Sequence, residues 1–366
     1  MESHVDSTSN DARASIFHKC ALFAEKQYHG ITGSEEIRRL HVYSERKSKE
    51  IADRDEALRD PRNRSVMREL AQHQKKAKAL QAQDVAQLNE FLNARNKYLQ
   101  QAISLLSLCL QTSDNFDSSS TIRLCSLWFA NFNSEVKDIM ASVSGIASRK
   151  FIFLARQLTA RLSNSDSANP NQVVLKELIL RMCTEHPFHS LYQLYSLQSA
   201  QYDKGSTSRR RTSSLETENT QADRISAAST LFEQVLALPN TTMMAKTLRV
   251  VCDAYLQWAK YPLKDNPSMN RASGEVLTIP KSMVIRRLQN FRVPVATANT
   301  PLDPTMRYED CVWIDHYKPE FTLAGGINLP KICVCFGSDG ESYKQLVSRL
   351  FVINLFIPIN RENFVV

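Results

Sequence analysis

Over the first 260 positions, apolar residues recur at intervals of three and four, the spacing of one face of an α-helix. Between Asp11 and Tyr28, Ile16, Cys20, Phe23, Ala24 and Tyr28 follow such a face, and Gly30 to Gly33 is expected to break it. Ser34 then precedes Glu35 and Glu36, an N-cap ahead of acids in a new first turn. Glu35 to Arg59 is highly charged, with Ile37, Leu40, Tyr43, Ile51 and Leu58 widely spaced. After Pro61 a stretch rich in Ala, Gln, Leu and Lys predicts a second long helix, ending at a polar loop over Gln111 to Ser120. Leu124, Leu127, Trp128 and Phe132 then stand at helical spacing, an aromatic stripe expected in a core. Further helices are predicted over 149–162, 171–184, 188–202, 221–238 and 241–261, with Pro239-Asn240 turning between the last two. Helix pairs on short loops imply an array of helical hairpins, although no strict sequence period marks the repeats.

Beyond residue 275 the pattern changes. Prolines stand at 280, 294, 301, 304 and 319, and helical periodicity persists only around Ser282 to Asn290. Short alternating runs, Cys311 to Tyr317, Glu320 to Leu323, Lys331 to Phe336 and Ser342 to Val347, predict a small antiparallel sheet. Of nine glycines, four (325, 326, 337 and 340) fall within 16 residues of this part. The expected organisation is a helical region over 1–203, a Ser/Thr/Arg-rich loop over 204–220, a helical pair and linker over 221–274, a β region over 275–347 and a tail over 348–366. The fold class is mainly α, a helical-hairpin array followed by a small antiparallel β region.

Length and composition refine this without changing it. At 366 residues, 43% apolar and 23% charged, the chain has material for two or three domains. A net charge of +8 is compatible with an acidic partner and equally with a mixed-sign helical surface. The basic runs at Lys75, Lys76, Lys78 and Arg209 to Arg211 carry no aromatic or recognition-helix signature beside them, which argues against direct nucleic-acid binding. Thr212, Ser213 and Ser214 after the arginines match a basophilic phosphorylation site or a weak nuclear-localisation patch, against the alternative of a solvated loop. Eight scattered cysteines without a CxxC argue for a reducing compartment; Cys333 and Cys335, two apart on a strand, are expected as buried thiols on one face. Met1 to Asn10 is polar, unlike a secretory signal. No apolar run approaches the roughly 20 residues of a membrane span, so no membrane partner is expected.

The glycine cluster is the candidate chemistry. Gly325 and Gly326 between two β runs allow backbone N–H groups to approach a phosphate. Lys331 either adds a point charge or is a surface lysine, and Ser338-Asp339-Gly340 fits a hairpin turn. Neither the GxxxxGK[ST] nor the GxGxxG spacing is present, so the motif by itself is weak.

Context strengthens it. "FTLAGGINLPKICVCFGSDGESYKQLV", residues 321–347, resembles the N-lobe opening of the phosphatidylinositol-3-kinase-related protein kinases, in their DNA-damage-response branch. "RLCSLWFAN" (123–131), "KFIFLARQLTARL" (150–162), "EHPFHSLYQL" (185–194) and Val251 to Tyr255 resemble the helical FAT region of the same family. The resemblance implies a helical clamp on a kinase domain, an incomplete N-lobe sheet, ATP and Mg as the family's cofactors, and a nuclear setting. It places the phosphate-covering loop on Leu323, Ala324, Gly325, Gly326, Ile327, Asn328, Leu329, Pro330 and Lys331. His186 and His189, three apart, sit in an "HPxH" helix start where packing or capping is implied rather than metal binding. After "QLV" the family continues with an ATP-positioning lysine, a glycine and an acidic "DDLRQD"-type segment; here Ser348, Arg349 and Leu350 follow. The family's catalytic-loop aspartate and Mg-holding residues find no counterpart, so no catalytic or metal residue is assigned. The expectation is a truncated serine/threonine kinase, inactive alone. The alternative is a non-enzymatic helical scaffold pairing with the full-length kinase or a second copy. The β-prone tail is expected to come from splicing, a frameshift or a gene-model error.

Overall fold

A computed structural model describes residues 2–59, 67–132, 139–166, 168–199, 215–262, 276–324 and 330–347. The chain divides into two compact units, Met1–Ile146 and Ala147–Val366.

The first unit contains α1 (Glu2–Thr32), α2 (Glu35–Arg59), α3 (Met67–Thr112), α4 (Asp117–Ala130) and α5 (Ile139–Ser144). The 46 residues of α3 form its spine. α1 and α2 follow one another along α3, both antiparallel to it. The Ser113 hydroxyl donates to Asp11 at 2.5 Å at one end, and Lys47 pairs with Asp84 at 2.7 Å toward the other. Gln74 adds a 2.7 Å bond to the Ile51 carbonyl. The joint between α1 and α2 is the expected one: Ser34 Oγ accepts from the Ile37 amide at 3.4 Å. Gly30 stays inside α1, because a single glycine weakens a helix without ending it.

The loop expected over 111–120 shrinks to the four residues between α3 and α4. Thr112 remains helical, its Oγ1 donating to the Leu108 carbonyl at 2.6 Å, a bond that lets a polar residue close a helix. Leu99, Ile103, Leu106 and Leu110 of α3 are buried with Leu124, Leu127 and Trp128 of α4 and with Ala14, Ala21 and Ala24 of α1. Alanines on α1 allow it to lie close to α3. The aromatic stripe is core, with Trp128 stacked on Phe129 at 5.0 Å and 6.1 Å from Phe132.

The second unit opens with a 3-10 segment, Ser148–Leu154, running into α6 (Ala155–Thr159), where one helix over 149–162 was expected. Then come α7 (Pro170–Glu185), α8 (Pro187–Ser199), α9 (Leu215–Ala237) and α10 (Thr242–Lys260). Asn169 caps α7 by accepting from the Asn171 amide at 2.9 Å, with Pro170 in the first turn. α9 starts at Leu215, so the last six residues of the expected 204–220 loop are helical. Residues 204–214, with the arginine run and Thr212 to Ser214, lie outside the described residues, as does the tail 348–366. Asp223 of α9 clasps the loop after α6. Its carboxylate accepts from the Ser163 and Ser165 hydroxyls at 2.6 and 2.9 Å and from the Asn164 and Ser165 amides at 3.1 and 2.8 Å.

Five antiparallel strands follow: β1 (Val276–Thr278), β2 (Gln289–Pro294), β3 (Trp313–Leu323), β4 (Lys331–Gly337) and β5 (Ser342–Val347). β3, β4 and β5 pair in succession, while β1 and β2 share the other edge of β3. The two runs predicted around Lys318-Pro319 are one strand. Proline cannot donate to the ladder, and the register shifts between Tyr317 and Phe321 to accommodate it. The helical pattern over 282–290 resolves into a 3-10 turn, Val284–Arg287, and the start of β2. The β4–β5 hairpin turns at Ser338 to Gly340, as expected, with Gly340 at φ +79°. Among the described residues no helix is long and apolar enough to cross a membrane.

Two substitutions test this account by urea unfolding. Trp128→Ala is expected to cost about 3–5 kcal/mol in the first unit, as deletion of a fully buried ring does. Gly340→Ala is expected to cost about 1–2 kcal/mol in the second, because a Cβ strains the left-handed backbone.

Candidate functional site

Leu248, Val251, Cys252, Tyr255, Trp258 and Ala259 form one buried face of α10. That face meets the sheet. Trp258 lies edge-on to Phe321 of β3 at 4.8 Å and donates from Nε1 to Cys333 Sγ of β4 at 2.9 Å. The hydroxyls of Tyr255 and Tyr317 are 2.5 Å apart, and both reach Gln345 Oε1 of β5, at 2.7 and 3.2 Å. Cys333 and Cys335 are the buried thiols expected, and burial pushes each up to about 12. They remain neutral and act as small apolar groups.

The glycine loop is the β3–β4 connection. Leu323 and Lys331 pair in register at its base, and the Ala324 amide donates to the Pro330 carbonyl at 2.8 Å, closing the neck. Leu323 is buried. Gly325, Gly326, Ile327, Asn328 and Leu329 lie outside the described residues.

Lys331 is not a surface lysine: it is 4% exposed. Its Nζ donates to the carbonyls of Trp258 at 2.7 Å, Ala259 at 3.3 Å and Tyr261 at 2.9 Å, and lies 4.9 Å from the centre of the Trp258 ring. Strand alternation puts position 331 on the face shared with Cys333 and Cys335. The end of α10 supplies what a buried ammonium needs there, last-turn carbonyls with acceptor capacity to spare and the negative end of the helix dipole. Sequence reading had the lysine but not this use of it, since α10 ends some 70 positions earlier in the chain.

At a second polar junction the histidines were expected to pack or cap, but their partners were not foreseen. His186 ends α7, and Pro187 opens α8. His189 Nε2 donates to the Thr300 carbonyl at 3.0 Å, which leaves Nδ1 to accept from the Tyr308 hydroxyl at 3.3 Å. The same hydroxyl lies 2.7 Å from His186 Nδ1 and, with its proton directed at His189, accepts a hydrogen bond from the Nδ1–H. Tyr308 is buried at φ +54°, with its amide donating to Asp303 at 2.9 Å. Asp303 also takes the Thr305 and Arg307 amides, and these bonds with the Thr305 hydroxyl hold its carboxyl down at about 2. The histidines therefore dock the β2–β3 connection onto the α7–α8 corner, in agreement with a packing role. Among the described residues no three His, Cys, Asp or Glu side chains come together as a metal site.

No protein-family model matches the chain. It is 28% identical over 345 residues to the serine/threonine-protein kinase TEL1 of Cryptococcus neoformans, covering 92% of the chain and 11% of that relative. It is 34% identical over 277 residues to the serine-protein kinase ATM of Sus scrofa, covering 72% of the chain and 9% of that relative. The chain thus spans about a tenth of the length of the curated relatives it matches. Among solved structures, the FAT and kinase domain of CtTel1 superposes with a TM-score of 0.73 at 23% identity, over 91% of this chain and 21% of that one. The complete CtTel1 dimer with C2 symmetry matches with a TM-score of 0.74 at 23% identity, over 92% of this chain and 11% of that one. The fold is that of a helical FAT-type array followed by the first antiparallel strands of the kinase.

The histidine junction should be legible in the pH dependence of stability. Burial lowers the pKa of both His186 and His189 below the usual value of about 6.5. The unfolded chain then binds protons that the folded unit refuses. Their contribution is full above pH ~6.5 and is lost as pH falls from there toward the folded values. Urea midpoints measured between pH 7.5 and 5.5 should fall less steeply in the double variant His186→Asn/His189→Asn than in the parent chain.

Proposed function

From homology to the Tel1/ATM serine/threonine kinases over about nine tenths of the chain, we propose that it is a segment of a DNA-damage-response kinase acting in the nucleus. Its helices serve as the regulatory clamp, and Leu323 to Lys331 cover the phosphates of ATP. The observation that carries this reading is the arrangement around α10. The neck closed by the Ala324–Pro330 bond joins the central strands β3 and β4, and the last helix of the array packs on that sheet beside the neck.

The donor set shapes what the site does chemically. The Lys331 ammonium is taken up by helix carbonyls, so phosphate contacts in this reading come from backbone N–H groups of the loop. Any Mg would have to come with the nucleotide, since among the described residues no three His, Cys, Asp or Glu side chains come together that would hold it. Ser348 takes the position of the family's ATP lysine and carries no charge, so phosphoryl transfer is not expected of this chain alone.

A second reading, a helical scaffold pairing with another copy or with the full-length kinase, is favoured by the exposure of Ile16 and Phe23, each 60%, on α1. The dimeric state of CtTel1 supports it.

Titration of the chain with a fluorescent ATP analogue and Mg tests the first reading. Binding should saturate, and Gly325→Val or Gly326→Val should weaken it about tenfold or more by blocking close backbone approach. Saturable binding that both valines leave intact would sink the loop assignment. Transfer of labelled γ-phosphate to a peptide substrate should stay at background, and turnover by the purified chain would overturn the inactive-alone reading.

A further inference from the structure

We propose that the groove between α1 and α3 is a docking site for an acidic amphipathic helix of a partner protein. The proposal deepens the scaffold reading above by naming the class of partner that the exposed face of α1 takes.

Ile16, Cys20 and Phe23 stand at spacings of four and three on α1 and form one stripe. All three face outward: Ile16 and Phe23 are each 60% exposed, and Cys20 is exposed. The helix has a separate buried row, Ala14, Ala21, Ala24 and Tyr28, so the stripe is surplus to the packing of the unit. Across from it α3 presents Lys97, Gln101, Ser104 and Leu105, with Leu108 exposed one turn beyond. The groove between the helices measures about 790 Å³. Cys20, Phe23, Ala24 and Leu105 make its apolar lining, and Lys19 and Lys97 are its exposed charges.

The charge around the groove has one sign. No acid occurs between Ala12 and Ala24 of α1 or between Phe91 and Thr112 of α3, whereas Arg13, Lys19, Arg95 and Lys97 do. The acids that bound the α1 stretch are engaged elsewhere. Asp11 accepts from the Ser113 hydroxyl at 2.5 Å, and Glu25 pairs with Arg123 of α4 at 2.7 Å. An incoming helix with apolar residues at i, i+3, i+4 and i+7 fills such a groove, and carboxylates beside that stripe meet the lysines. A second copy is a poorer occupant, because a two-fold contact sets the same basic face against itself. Nucleic acid fits less well too, since two lysines beside an apolar lining offer few phosphate contacts.

The test uses the full chain and a fluorescein-labelled synthetic peptide of about 18 residues, with leucines at i, i+3, i+4 and i+7 flanked by glutamates. One control peptide scrambles the same residues off the helical period, and another carries lysine for each glutamate. Fluorescence anisotropy should show saturable binding of the acidic peptide alone, weakened several-fold between about 50 and 300 mM salt. Lys19→Glu/Lys97→Glu should weaken it by about tenfold or more and gain the lysine peptide. Phe23→Ser, at an exposed position, should weaken it to a similar degree without changing the circular dichroism. Absence of binding by the parent chain overturns the proposal. So does equal binding of the scrambled peptide, or affinity that the charge reversal leaves unchanged. Sedimentation velocity separates this failure from failure of the scaffold reading. Self-association of the parent chain that Phe23→Ser abolishes gives the face to a second copy, so the helix proposal falls and the scaffold reading stands. Retention of duplex DNA that Lys19→Glu/Lys97→Glu abolishes gives the groove to nucleic acid and overturns the proposal.

Discussion

Helix α10 lies on one face of the sheet, and the buried ammonium of Lys331 closes its last turn. Apolar burial by Leu248, Val251 and Trp258 drives that contact but has no preferred orientation. The hydrogen bonds do. A lysine on three carbonyls, an indole N–H on a thiol, and two tyrosines on one glutamine define a single rotation and a single height of the helix over the strands. Buried polar groups of this kind are costly when unpaired, so a shifted helix is penalised at several points together.

The same economy of means recurs elsewhere in the second unit. Asp223 clasps the loop after α6 with four hydrogen bonds, and Tyr308 stands between two histidines at the α7–α8 corner. In each case a connection of low intrinsic order is held to a helix by one side chain with several partners. The first unit uses a different principle. A 46-residue helix serves as a track for α1 and α2, and small residues on α1 set the spacing. Polar bonds such as Lys47 to Asp84 there fix position along the track.

The two residues that flank the glycine loop's undescribed part are both held. The Ala324 amide closes the neck on the Pro330 carbonyl, and Lys331 is a buried anchor beside it. The anchor also ties the base of the β3–β4 connection to the last helix of the array.

Much of this was written in local sequence. The spacing of Leu124, Leu127 and Trp128, the Ser34 cap, and the alternation through Cys333 and Cys335 follow from backbone periodicity, which depends only on near neighbours. The motifs around the paired glycines were enough to identify the kinase relatives. The misses have a common cause. β1 and β2 are short strands sharing one edge of β3, with no alternation of their own, and become strands only when β3 supplies the ladder. Pro319 looked like a boundary because a bulge is a property of two strands together. The partners of Lys331, His186 and His189 lie some 70 to 120 positions away, and no period or motif encodes such pairs. The chain by itself determined most of its helices, the inner strands, its fold class and its relatives, because these are local or repeated signals. Tertiary structure alone decided that a lysine beside the paired glycines belongs to the end of a helix, because a buried charge is placed by whichever carbonyls the whole fold brings to it.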